Sequence, residues 1–282
     1  MIITAWNRTH RAYLTMPKIK LVSPTGKPIE LGRAVANAGV HAAYRKRLNA
    51  LVDDMDRSLI YWLSSAYRNS GAAVAMDATP ANEMRAAMRK MAQRWQKKFD
   101  QGAKELAAWF AKSAGERSDA VLDATLKKAG FTVPFTMTDS MRNAYDAVIG
   151  EQVGLIRSIA SQHLTQVETL VMQSVAQGRK LDVLTTQLSE TYDVTKRRAA
   201  LIARDQNNKA TATFNRTRRL DMGITHARWK HSAAGKVPRP SHVAANNEIY
   251  EIAKGMYLDG VWTWPGHEIN CRCFDTPIIP GF

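Results

Sequence analysis

Apolar residues recur every three or four positions along most of this chain. Between 80 and 112 the positions are Met84, Met88, Met91, Trp95, Phe99, Leu106, Trp109 and Phe110, a stripe that predicts one face of an amphipathic helix. Thr79-Pro80 supplies a cap and a first-turn proline at its start. Between 139 and 176 Ile149, Val153, Ile156, Ala160, Leu164, Val167 and Val171 form a seam for a neighbouring helix. His163 sits beside that seam and is read as a packing or surface residue. A further helix is expected over 33–69, with Gly71 past its end, and Gly178 closes the seam helix. Residues 181–191 predict a short helix, and Asp193 or Thr195 then caps another that runs to 221, with Gly223 as its stop. After Gly223 the pattern breaks into short aromatic runs punctuated by Gly and Pro, as in ITHARWKHSA and GVWTWP, which read as short strands in a small sheet. Residues 1–32, rich in Pro and Gly near their end, read as an extended arm packed on something else. The expected fold is mainly α: an elongated helical N-terminal body (33–193) followed by a small α+β C-terminal module with short strands (194–282).

Composition narrows the class. Among 282 residues, 45% are apolar and 23% charged, which fits a folded chain with a sizeable core and excludes wholesale disorder. No uncharged apolar run is long enough to span a bilayer, and the N-terminus lacks the apolar core of a secretory leader. Only two cysteines are present, so a reducing compartment is the expectation. The net charge of +15 points to polyanionic partners. Residues 194–240 hold twelve basic and two acidic side chains, a local excess of +10. From this stretch Lys196, Arg197, Arg198, Lys209, Arg216, Arg218, Arg219, Lys230 and Lys236 are candidate contacts to the phosphates of double-stranded DNA, without base reading. The competing readings are a solvated helix face and an acidic protein partner.

The chemistry-bearing stretch is WTWPGHEINCRC, residues 262–273, which holds both cysteines. Zinc takes four Cys, His or carboxylate ligands, and His242, Cys271 and Cys273 with either His267 or His231 can supply them. The bland alternative is a pair of buried small thiols and histidines bonded to backbone. A Cys271–Cys273 disulfide is disfavoured, because so short a loop strains the bridge. Trp229, Trp262 and Trp264 are expected in the module's core. Arg204, Arg239 and Arg272 are expected to bridge carbonyls or an acid such as Asp205.

The ordered set Arg204, Asp205, Asn215, Arg216, Gly223, Trp229, Arg239, Ser241, His242, Pro265, Gly266, Asn270, Cys271, Arg272 and Cys273 resembles the C-terminal domain of the phage Mu F-like head morphogenesis proteins, or minor head proteins. The resemblance covers about residues 195–275, and its closing NCRC is its most specific piece. The chain departs from the pattern at His231-Ser232, where an acid is usual, and at Asn246-Asn247, where a Gly is usual. The resemblance implies a minor capsid protein present in several copies in the virion, inside the head near the portal. The implied partners are the portal protein, capsid or scaffold proteins and packaged DNA, with ejection alongside the genome as a further expectation. It implies no settled enzymatic activity. The alternative is a metal-dependent hydrolase or nuclease using the His and Cys cluster, with Glu248, Glu251 or Glu268 as the nearby acids and none of them in a catalytic motif.

Overall fold

The computed structural model describes residues 21–70, 78–177, 181–234 and 237–281. Four long helices make up most of it: α1 Ala38–Ser70, α2 Ala78–Lys128, α3 Asp139–Ala176 and α4 Leu181–Asp221. They bundle, with α2 against α3, α3 against α4, and α4 also against α1 and α2. At 51 residues, α2 is about 77 Å long at 1.5 Å per residue.

The helix starts follow local chemistry. Asn37 caps α1, its Oδ1 accepting from the Val40 amide at 3.0 Å. Thr138 caps α3, its hydroxyl accepting from Met141 N at 3.1 Å. The methionine and aromatic stripe on α2 is core, with Met88, Phe99 and Phe110 fully buried. On α3 the buried stripe runs Met141, Ala144, Val148, Gln152, Ile156, Ala160 and Leu164, while Ile149 and Val153 are half-buried beside it. The seam is therefore turned slightly from the expected one. The turn brings Gln152 inside, where its Oε1 accepts from Tyr44 at 2.8 Å.

Two expected breaks are absent. Helix α2 continues sixteen residues past 112, to Lys128, and Gly115 within it is a close-packing position. A Cβ there would lie 1.8 Å from the Tyr145 hydroxyl on α3. Helix α4 is continuous from Leu181, so neither Asp193 nor Thr195 is a cap. Thr195 lies buried mid-helix, its hydroxyl bonded back to Thr191 O at 3.0 Å and in contact with His163 Nδ1 at 2.9 Å. His163 is buried, as a packing residue. Gly223 does stop α4, at φ 75°, with Ile224 N bonding back to Arg219 O at 2.9 Å. The expected stops at Gly71 and Gly178 lie outside the described residues.

The remainder is a small module. Strands β1 Ile29–Glu30, β2 His226–Lys230, β3 Ile249–Glu251 and β6 Phe274–Ile279 form one antiparallel sheet in the order β1-β6-β2-β3. A short helix, α5 Pro240–Ala244, lies between β2 and β3, and β4 Met256–Leu258 pairs with β5 Val261–Thr263 as a hairpin. The chain is thus mainly α, with a small C-terminal module of short strands.

The module's edge strand comes from the N-terminal segment. Ile29 pairs with Ile279, Ser23 N donates to Pro280 O at 2.9 Å, and Leu31 N donates to Pro277 O at 2.8 Å. Leu21 and Leu31 join Leu122, Leu126 and Val133 of the bundle end in one apolar cluster with Trp229, Tyr250, Ile252 and Ile279. The described part of the arm, residues 21–32, therefore packs on this chain's own C-terminal sheet. No helix among the described residues is long and apolar enough to cross a membrane.

Candidate functional site

The C-terminal half of α4 supplies one wall of the site and the sheet supplies the other. Pairing of β2 with β6 runs to Lys230 opposite Phe274, so His231 and Cys273 follow as neighbours off the end of that ladder. Helix α5 starts with Pro240 in its first turn and presents the buried His242. The turn before β6 closes through His267 N to Trp264 O at 3.1 Å and Cys271 N to Glu268 O at 2.9 Å. Asn270 sits there at φ 62°, and its side chain is pinned by Arg204.

These elements bring both thiols and two imidazoles together. His242 Nδ1 lies 3.5 Å from Cys271 Sγ and 3.8 Å from Cys273 Sγ, and His231 Nδ1 lies 3.7 Å from Cys273 Sγ. Cys271, Cys273 and His242 are buried. The hydrogen bond with Cys273, followed by backbone amides and the neighbouring His242, lowers the Cys271 thiol to about 5 against the opposing effect of burial. Loss of the second proton beside that thiolate is correspondingly hard, and Cys273 is pushed up. His267, expected in this set, is elsewhere: its ring packs edge-on to Trp264, 5.8 Å between centroids, under the charges of Lys209 and Arg216.

Motif residues Arg204, Asn215, Arg216, Pro265, Gly266 and Arg272 line a hollow of about 200 Å³ together with Asn208, Trp264 and Asp275. Arg216 stacks over the Trp264 ring at 4.1 Å, and the Trp264 indole donates to Ile252 O at 2.8 Å. Gly266 lies at φ 80° with its Cα facing Cys273 O, where a Cβ would come within 3.2 Å. Asn208 donates to Cys271 O at 3.1 Å and ties α4 to the cysteine turn. Arg239 donates to Ile269 O at 3.0 Å, Arg272 to Ala234 O, and Ser241 to Asp259 at 2.7 Å. Arg204 stands 3.6 Å from Asp205. Trp229 is fully buried, edge-on to His242 at 5.2 Å. Trp262 is not core: it is 53% exposed on the β4–β5 hairpin beside Tyr257.

The basic stretch is not a free phosphate surface. Arg218 is 5% exposed and gripped by Asp119 through two bonds of 2.8 Å. Arg219 is 1% exposed and bonded to Asp275 at 2.5 Å, and Tyr250 donates to the same carboxylate. Neither guanidinium can reach a phosphate from there. Lys196 pairs with Asp53, Lys209 with Glu151 at 2.8 Å, and Lys230 lies 3.9 Å from Glu30. Arg198 donates to Ser158, and Arg216 covers Trp264. Of the nine expected phosphate contacts, Arg197 alone among the described residues is both exposed and without such a partner, and Lys236 lies outside them. Five acids from α1, α2, α3, β1 and β6 (Asp53, Asp119, Glu151, Glu30 and Asp275) pair with this stretch and offset about half of its excess. A run of unpaired charge lies on α2, where Arg85, Arg89, Lys90, Arg94 and Lys97 are exposed with no acidic partner among the described residues. Their signal is the acid-free run MRAAMRKMAQRWQKKF at 84–99.

The fold is thus a long-helix bundle closed by a small antiparallel module, with a Cys/His corner and a row of arginine–carbonyl ties. Residues 165–275 match the family described as Phage Mu protein F like protein, and this part of the chain is similar to that family. The chain is also 29% identical over 180 residues to an uncharacterized protein of Haemophilus influenzae, a match that covers 63% of this chain and 39% of that relative. The chain thus spans about two fifths of the relative's length. No solved structure matches at the same significance.

Proposed function

We propose that this protein is a minor head protein that acts in phage head morphogenesis as a structural component beside the portal, with packaged DNA on its helical body. The observation that carries the reading is the family match over 165–275, whose motif residues converge on one module. The bundle's exposed basic face on α2 supports a polyanion contact by counterion release. The hydrolase alternative needs an open metal position and a nearby base. The buried Cys/His group among the described residues includes no carboxylate, and Asp275 is taken by Arg219 and Tyr250.

Quantitative mass spectrometry of purified particles, full and emptied of DNA, tests the role. The protein is expected in full particles, and its loss from emptied ones adds ejection. Absence from both sinks the reading. The DNA contact has its own test in salt-dependent binding to duplex DNA. Arg85, Arg89, Arg94 and Lys97 changed together to Ala should flatten the salt dependence by up to about 0.9 for each phosphate no longer neutralised. Arg197→Ala should do less. An unchanged slope in the fourfold variant would assign the α2 face to a protein partner.

A further inference from the structure

We propose that His231, His242, Cys271 and Cys273 form a structural zinc site that fastens the C-terminal module. A tetrahedral ion with Zn–S of about 2.3 Å and Zn–N of about 2.05 Å sets its nitrogen and sulfur ligands about 3.6 Å apart. The three nitrogen–sulfur separations found are 3.5, 3.7 and 3.8 Å, already at that spacing. Three of the ligands, His242, Cys271 and Cys273, lie within 4.8 Å of one another, and His231 stands beside Cys273 as the fourth, needing only to swing toward the other two to close the tetrahedron.

The ligands come from three places in the fold: the end of β2, helix α5, and the turn into β6. One ion would therefore tie together segments that the short sheet alone holds weakly. The surroundings suit thiolates. Backbone amides of Gly266 and Cys273 face the Cys271 sulfur, and that of Ser232 faces Cys273. The Trp229 indole N–H, buried without a well-aligned acceptor, also lies toward Cys273. Such donors are the outer partners that orient and stabilise metal-bound sulfur. Two thiolates neutralise the ion's charge, and four protein ligands leave no open position, so the site is structural rather than catalytic. A hollow of about 240 Å³ lined by these four residues with Arg239 and Arg272 gives the ion an access route from solvent.

The test uses the full chain purified without chelator. Elemental analysis is expected to find about one zinc per chain, released when a mercurial blocks the thiols. Cobalt exchanged into the same chain should give the intense visible bands of a tetrahedral thiolate site. His231→Ala should loosen zinc at least about 10-fold, since even an outer-shell partner is worth that much. Cys271→Ser with Cys273→Ser should abolish binding, and His267→Ala should leave it unchanged. A folded wild-type chain that takes up neither zinc nor cobalt overturns the proposal, and needs no variant to fold. Zinc lost from His267→Ala but kept by His231→Ala overturns the ligand set.

Discussion

Leu48 in the helical body and Arg219 in the C-terminal module are both buried to within about a percent of completely, and they hold their surroundings by different means. Leu48 is one of a long series of apolar side chains shared by four helices, with Val52, Phe99, Phe110, Ile156 and Ala199 in one continuous cluster. Arg219 has no such company. Its guanidinium joins α4 to β6 through Asp275, which also accepts from Tyr250 of β3, while its own Nε and Nη2 are left without partners. The body spreads its stability over many interchangeable contacts. The module has a smaller apolar cluster and adds a few buried polar groups that join its short strands to the helices.

The sharpest way to break the comparison is at that pair. Arg219→Ala strands a buried carboxylate, a loss of about 3–5 kcal/mol. Asp275→Asn should cost a similar amount, since it keeps an acceptor for Tyr250 but leaves the Arg219 guanidinium buried without an anion. Circular dichroism and hydrogen exchange should show the sheet amides opening while the amides of α1 and α3 stay protected. Uniform loss of protection across both regions would show instead that body and module unfold as one unit.

His163 is a buried polar group of the body whose contribution depends on pH. Burial holds it neutral down to about 4 in the folded chain, against an ordinary value of 6.5. The unfolded chain therefore takes the proton first, and stability falls as pH drops from 6.5 toward 4, by about 3 kcal/mol in all. Asp56 works the other way. Burial and the nearby Asp53 raise it to about 6, so protonation favours the folded chain as pH falls below that value. The measurement is thus a difference: the stability of His163→Leu should fall less between pH 7 and 4.5 than that of the unchanged chain. Equal slopes would mean that the imidazole is hydrated in solution.

The body was largely legible in the sequence because helix periodicity is local. The α2 stripe, Gly223 as a stop and the change of character after it all follow from neighbours within a few residues. What escaped was non-local. Nothing near Gly115 announces Tyr145 thirty residues on, and Thr195 reads as a cap only until the buried face of α3 is placed against it. The surroundings of the 194–240 charges escaped for the same reason, since Asp53, Asp119, Glu151 and Asp275 pair with several of them from far away in sequence. In the site, His242, Cys271 and Cys273 were legible as a set. The choice of His231 over His267 was not, because it depends on the β2–β6 register that sets His231 beside Cys273.

The smallest expected effect probes the body's tolerance. Met84, Met88 and Met91 lie on the buried face of α2, and Met88 is fully enclosed. Methionine fills irregular space with a flexible chain, and leucine replaces it at nearly the same volume, so Met88→Leu should cost less than about 1.5 kcal/mol. Leucine is the stiffer side chain, and a gain of a few tenths is as compatible with distributed packing as a small loss. Thermal melts of the single and triple Met→Leu variants make the check. Costs that simply add belong to a core in which each side chain is one of many. A triple variant far worse than its parts would place in the body the same dependence on particular residues that the module has at Arg219, and the contrast between the two regions would fail.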